Sequence, residues 1–319
     1  MLSRHIIRGK VLQAIYASVI SGETSIERGR KELIDSVEDM SDLVYYQISA
    51  LLELRDVAEH KIEENRHKMV PTSKDINPDL QFVNNELLMQ LRDNESVQNA
   101  IRGLRVNWAD MNEFFRKMYR EIQEWPEYQK YMETTDHDFA TQRQFVVKLF
   151  KKFIAFDGNL KAMYEDLNLF WGEDSLLTGL MVHAWLKNYD PEKPATTSFP
   201  SLLKPSEGFG DDDDRQFMIR LYDKTMLNLN KYDEIIEKHL KHWDLERIIV
   251  IDMLIIKLAL TEITVFENIP VKASMNEYIE LAKEFGTPKS HVFVNGLLDK
   301  IIQDLKSSGQ IIKTGRGLA

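Results

Sequence analysis

Apolar residues along this chain recur at intervals of three and four and never settle into alternation, so the pattern predicts helices and almost no strand. A first helix is expected over 4–21, where Ile7, Val11, Ala14 and Ile15 share a face. Arg4 and Arg8 stand one turn apart at the end where that stripe runs out. A long second helix is expected over 41–68, with Ser41 as N-cap and Pro71 as its stop. Others are expected at 79–93, 95–103, 108–123 and 127–133, with Pro126 dividing the last pair. Residues 244–263 are apolar on nearly every side, the pattern of a helix surrounded by helices. Asp252 and Lys257 are charged exceptions within it, and buried charges are seldom left unpaired. An amphipathic helix then runs from Val271 to a stop at Gly286, and a last one opens on Pro288. Gly296 inside that last helix predicts a close helix–helix approach, since glycine there otherwise costs ~1 kcal/mol. The fold class expected is all-α.

The clearest break is 188–214, which holds four of the nine prolines and reads as a linker or long surface loop. The Asp211–Asp214 run at its end reads as solvated loop whose last Asp caps the next helix, in preference to a metal site. The two sides of this break resemble each other at an offset of 72: Phe145 and Trp171 fall on Phe217 and Trp243, and Leu176 and Met181 on Ile248 and Met253. Either a helical hairpin is repeated, or two amphipathic hairpins are alike by chance.

Composition narrows the function classes. At 43% apolar and 29% charged, the chain is too apolar for wholesale disorder, and 319 residues allow two or three domains. With no cysteine, disulfides, thiolate catalysis and Cys-ligated zinc are excluded, and a reducing, cytoplasmic setting is expected. No apolar run reaches the roughly 18–20 residues that would span a bilayer, so no membrane association is expected. The N-terminus has a basic start, but Gln13 and Tyr16 interrupt its apolar stretch and no small-residue cleavage site follows, so it does not read as an export signal. A net charge of −10 argues against a surface coated for nucleic acid. Locally, however, Arg4, Arg8 and Lys10 precede any acidic residue, and Lys306, Lys313 and Arg316 make the far end basic. There is no G-x-S-x-G, phosphate loop or H-E-x-x-H. His239 and His242 have ligand-like spacing, but Trp243 beside them points to an ordinary helix end. No catalytic residue, cofactor or metal is expected.

The segment IPVKASMNEYIELAKEFGTPKSHVFVNGLLDKI resembles the C-terminal signature of the NusB family of bacterial transcription antitermination factors. Asn276-Glu277, Glu280-Leu281-Ala282-Lys283, Phe293-Val294-Asn295-Gly296 and Leu298-Asp299 fit its pattern, and LALTEI supplies its acid as Glu262. SRHIIRGKVLQAIY is similar to the family's opening, with Arg4, Arg8, Gln13 and Tyr16 in register. His5 replaces an arginine, Ile7 a small residue, and Lys289 stands where an acid is common. The likeness divides the chain into a first helix (1–24), a helical expansion (25–187, with a possible related hairpin at 138–187), a Pro-rich linker (188–210), the core region (211–305) and a basic tail (306–319).

The resemblance implies two packed helical bundles, with a large helical region inserted after the first helix. It implies binding of single-stranded boxA-type RNA from ribosomal RNA leaders together with NusE, a small ribosomal-subunit protein, in support of the RNA polymerase elongation complex. On this reading Arg4, His5, Arg8 and Lys10 neutralise phosphates, with Gln13 beside them. The helix start at Lys289, Ser290 and His291 offers amides to a phosphate, and Phe293 stacks a base. Tyr16 and Glu262 are assigned to the partner protein. The plainer alternatives are solvated ends for the arginines and core packing for Phe293. Two other functions compete: a helical scaffold without RNA binding, and the RNA-binding module of a ribosomal RNA cytosine methyltransferase. The latter is disfavoured by the lack of cysteine and of a glycine-rich cofactor strand.

Overall fold

A computed structural model describes residues 1–134, 138–204, 213–240 and 249–318, and all their regular structure is helical. The helices, in chain order, are α1 (Arg4–Ser21), α2 (Ile26–Arg66), α3 (Ser73–Ile76), α4 (Glu86–Asp93), α5 (Glu95–Gly103), α6 (Asn112–Glu124), α7 (Pro126–Glu133) and α8 (Phe139–Phe150). A π-helical turn at Lys151–Ala155 follows. Then come α9 (Gly158–Leu167), α10 (Trp171–Lys187), α11 (Asp214–Leu227), α12 (Leu229–His239), α13 (Val250–Val265), α14 (Val271–Phe285) and α15 (Ser290–Ser307). His242, Trp243, Asp211, Asp212 and the first residues of the helix expected at 244–263 lie outside the described residues.

The chain forms two compact units, one of residues 1–37 with 201–319 and the other of 38–200. The first is built around α13. Leu254, Ile255, Ile256, Leu258, Ala259, Leu260 and Ile263 are all buried there, because α1, α11, α14 and α15 enclose the helix that is apolar all round. Of its charged residues, Lys257 is paired, its Nζ donating to Asp233 on α12 at 2.8 Å, while Asp252 has no cation beside it among the described residues and accepts from Ser290 Oγ at 2.8 Å through one oxygen. The helix α1 begins where Ser3 Oγ accepts from the Ile6 amide, and it ends at Gly22 in the left-handed region (φ 70°). The tail turns back over this unit. Lys313 Nζ donates to the Phe266 carbonyl at 2.8 Å and the Thr314 amide to the Glu267 carbonyl at 3.0 Å. Lys313 is thus tied to the protein, and burial pulls its ammonium below the ordinary lysine range.

Two helix expectations need correction. Ser41 caps nothing, because α2 already begins at Ile26, where Ser25 Oγ accepts from the Arg28 amide. Leu33, Val37 and Met40 carry its stripe in at helical spacing and are buried. Gly296 marks no close approach, since a Cβ there would meet open space. A tight helix–helix contact is found at Gly29 instead, where a Cβ would run into the Tyr222 hydroxyl and Ser18 Oγ.

The second unit has its own core, in which Leu43, Ile48, Leu51, Leu88, Phe115, Phe150, Leu160 and Val182 are fully buried. Rings reinforce it, with Tyr131 stacked on Phe145 at 4.0 Å between centroids. Arg55 is buried but satisfied by the Val83 carbonyl and Glu59. The Pro-rich segment carries no helix in its described part, yet it is anchored within this unit: the Ala195 and Thr197 carbonyls accept from the Glu95 amide and Asn94 Nδ2. Adding 72 to Ala155 and to Leu167 reaches Leu227 and His239, where α11 and α12 end.

Candidate nucleic-acid interface

The start of α1 carries a charged face and an apolar face, and Arg8 lies on the apolar one beside Ile7, Val11 and Ile15. A guanidinium there needs a buried partner. Glu262 on α13 supplies it, with Arg8 Nε donating to Oε2 at 2.7 Å and Nη2 to Oε1 at 2.8 Å. Ser274 Oγ donates to the same Oε1 at 2.7 Å and the Tyr278 hydroxyl to Oε2 at 3.0 Å, so each carboxylate oxygen receives two donors. Desolvation opposes the charge on Arg8, but the bonds and charge of Glu262 outweigh it and hold the guanidinium above its ordinary range. Burial, then the negative charge of Glu262, drives the Tyr278 phenol well above its ordinary value, which keeps it a donor.

This arrangement turns several of the expected contact residues inward. The resemblance sets Arg8 against RNA and Glu262 against a partner protein, whereas Arg8 is 5% exposed and Glu262 has no exposed surface. They pair with each other and fix α1 onto α13 and α14. Lys10 is buried as well, and Ser290 at 1% exposure spends its hydroxyl on Asp252 and the Thr287 amide. The start of α15 has fewer amides to offer than expected: those of Ser290, Val292 and Phe293 already bond to the Thr287 and Lys289 carbonyls.

What remains accessible gathers around α14. His5 reaches it through both ring nitrogens, Nδ1 to Glu277 Oε2 at 3.0 Å and Nε2 to Glu284 Oε2 at 3.1 Å. Glu280 is held below the ordinary carboxylate range by its Lys283 hydrogen bond first, and further by the nearby charges of His5 and His291. Thus His5, from the start of the chain, is held against two carboxylates of α14. Lys289 is exposed, while His291, Phe293 and Gln13 are half-buried. Arg4 turns toward α11, where Nε donates to Asp214 at 3.3 Å and the guanidinium sits 4.7 Å over the Phe217 ring. Glu277, Glu280 and Lys283 match the family pattern without an assigned contact, and Glu284 is not singled out, although their spacing already sets all four along one side of a helix.

At the other end of α1, Tyr16, Val19 and Ile20 are 41%, 38% and 59% exposed, an apolar cluster at helical spacing. Among the described residues no group of histidines and carboxylates is arranged to hold a metal. His239, the described member of the candidate pair, bonds through both nitrogens, to the Ile235 carbonyl and to Asp304. No described helix is long and apolar enough to cross a membrane.

The family model for the NusB family matches residues 186–303. A transcription antitermination protein NusB of Salinibacter ruber is 44% identical over 108 residues, which are 34% of this chain and 68% of that protein. One of Chloroherpeton thalassium is 33% identical over 130 residues, 41% of this chain and 62% of that protein. One of Natranaerobius thermophilus is 39% identical over 93 residues, 29% of this chain and 67% of that protein. No solved structure matches. With relatives matched over two thirds of their own length and the family's motifs brought together on α1, α13, α14 and α15, the chain belongs to the NusB family.

Proposed function

We propose that this chain is a non-catalytic transcription antitermination factor. It binds boxA-type single-stranded RNA of ribosomal RNA leaders together with NusE, and through them acts on the RNA polymerase elongation complex in the cytoplasm. The observation that carries this reading is the meeting of the two family motifs, more than 250 residues apart in the chain, through the bonds of His5 and Arg8 to Glu262, Glu277 and Glu284. Arg4, His5, Lys289 and His291 are the accessible hydrogen-bonding groups for phosphates, with Lys283 added to them and Gln13 and Phe293 alongside. Arg8, Lys10, Ser290 and Glu262 act from within, by fixing where those groups stand. Tyr16, with Val19 and Ile20, offers the apolar surface for the protein partner.

Glu277, Glu280 and Glu284 sit among the cations, so phosphate binding competes with internal pairing. RNA affinity alone is therefore expected to be weak and to rise when the partner binds. The same carboxylates favour the second reading, a scaffold that holds NusE without RNA. Titration with a boxA-like RNA across a salt series, with and without NusE, separates the two. Two phosphate contacts give a slope of log K against log salt near −1.4, at ~0.7 per contact on single strands. Arg4→Ala with Lys289→Ala should flatten that slope and leave helicity unchanged. NusE binding with no RNA binding under either condition selects the scaffold.

A further inference from the structure

The helix α10 is enclosed on one side only. Glu173, Leu176, Leu180, Ala184 and Lys187 follow one another at spacings of three and four and are all exposed, Leu176 and Leu180 by 49% and 46%. Leu167, Leu169 and Phe170, at the turn into α10, are 54%, 73% and 55% exposed and extend the apolar surface at its N-terminal end. A contiguous apolar stripe of this kind on a folded unit marks a contact surface.

The other unit shows what such a face meets. At the offset of 72, Leu180, Ala184 and Lys187 fall on Asp252, Ile256 and Ala259 of α13, all buried, with Asp252 bonded to Ser290 at the start of α15. There α14 and α15 follow and cover α13. After α10 no helix follows before Pro200, so its equivalent face is left open within the 38–200 unit.

The stripe is also self-complementary. Reflected about Leu180, Glu173 falls on Lys187 and Leu176 on Ala184. The charge at its two ends is opposite: Glu165, beside Gly172, and Asp166 join Glu173 at one, while Lys151 and Lys187 both act on His183 at the other. An antiparallel copy of the same helix would therefore bring acidic end to basic end twice, across a span of about 21 Å at 1.5 Å per residue.

We propose that α10 is a self-association face, through which two copies of this chain pair antiparallel with Leu180 on the twofold axis and Glu173 of each against Lys187 of the other. It goes beyond the RNA reading, and none of its residues belongs to the groups assigned to RNA or NusE. The test is sedimentation of the full chain over a concentration series. Wild type should form dimers, Leu180→Lys should abolish them, and its circular dichroism should match wild type because the side chain is exposed. Glu173→Lys and Lys187→Glu should each weaken the dimer by about tenfold, and the double exchange should restore it, since only the antiparallel register brings these two together. A wild-type chain that stays monomeric at all concentrations overturns the proposal. So does a dimer indifferent to Leu180→Lys, or one that the double exchange fails to restore.

Discussion

The Glu262 carboxylate is fully buried and receives four donors, two of them from Arg8. A buried pair of this kind adds little over an apolar replacement, but removing one member strands the other's charge at roughly 3–5 kcal/mol. Arg8→Ala should accordingly lower the melting point of the unit that holds it by roughly 10 °C. Arg8→Lys should recover little, because an ammonium cannot make the two-pronged contact. Arg4→Ala, whose side chain is 30% exposed, should cost at most about 1 kcal/mol. Thermal melts of the three variants decide the matter, and an Arg8→Ala protein as stable as Arg4→Ala would contradict the assignment. Asp252 carries a pH signature of its own. Burial pushes its carboxyl above the ordinary 3.8, with the Ser290 bond opposing, and its Oδ1 has no hydrogen-bond partner. The folded state therefore holds this proton more tightly than the unfolded chain does. The stability it contributes is complete below pH 3.8 and is lost as pH rises through the raised folded value. Asp252→Asn keeps an acceptor for Ser290 and removes the titration, so its effect on stability should be more favourable near neutrality than in acid. Urea midpoints at about pH 4 and about pH 7.5 read this difference directly, and an equal shift at both would refute it.

At the scale of elements, two glycines set opposite expectations for one substitution. Gly29→Ala drives a methyl group into the Tyr222 hydroxyl and disturbs its 3.0 Å bond to Ser18, at roughly 1–3 kcal/mol. Gly296→Ala meets open space on α15 and should stabilise by up to ~1 kcal/mol through helix propensity. Denaturant titrations moving in the same direction for both would show that the packing at Gly29 is misjudged. The contrast also shows what a sequence can carry. Both glycines break a helical pattern equally, and only the partner helix decides which is crowded. Period and caps made α1, α14 and α15 legible, because local propensity and burial agree there. The first turns of α2 were not, since Glu27, Arg28, Arg30, Lys31 and Glu32 hide a stripe reduced to Leu33, Val37 and Met40. The motifs named candidate contact residues but not which of them lie inside. Arg4 and Arg8 look alike one turn apart, yet only Arg8 faces Glu262, a partner 254 residues away.

At the scale of the whole molecule, the two units each have a core, and the tryptophans are divided unequally between them. Trp108, Trp125, Trp171 and Trp185 belong to residues 38–200, leaving only Trp243 of the five for the unit with the family motifs. Tryptophan fluorescence thus reports chiefly on the inserted unit, whereas far-ultraviolet circular dichroism sums helices from both. Units with separate cores need not unfold together, and a chain that behaves so violates two-state behaviour. Because Glu262 is buried in the first unit alone, Glu262→Ala is expected to bring part of the dichroism loss to lower denaturant and to leave the fluorescence midpoint in place. On the two proposals above, the unit with the family motifs would then fail while the α10 face persists, so RNA affinity should be lost and self-association kept. One transition, shifted equally in both signals, would mean that the inserted unit and the family core stand or fall together, and that the expansion is part of the fold the family motifs require.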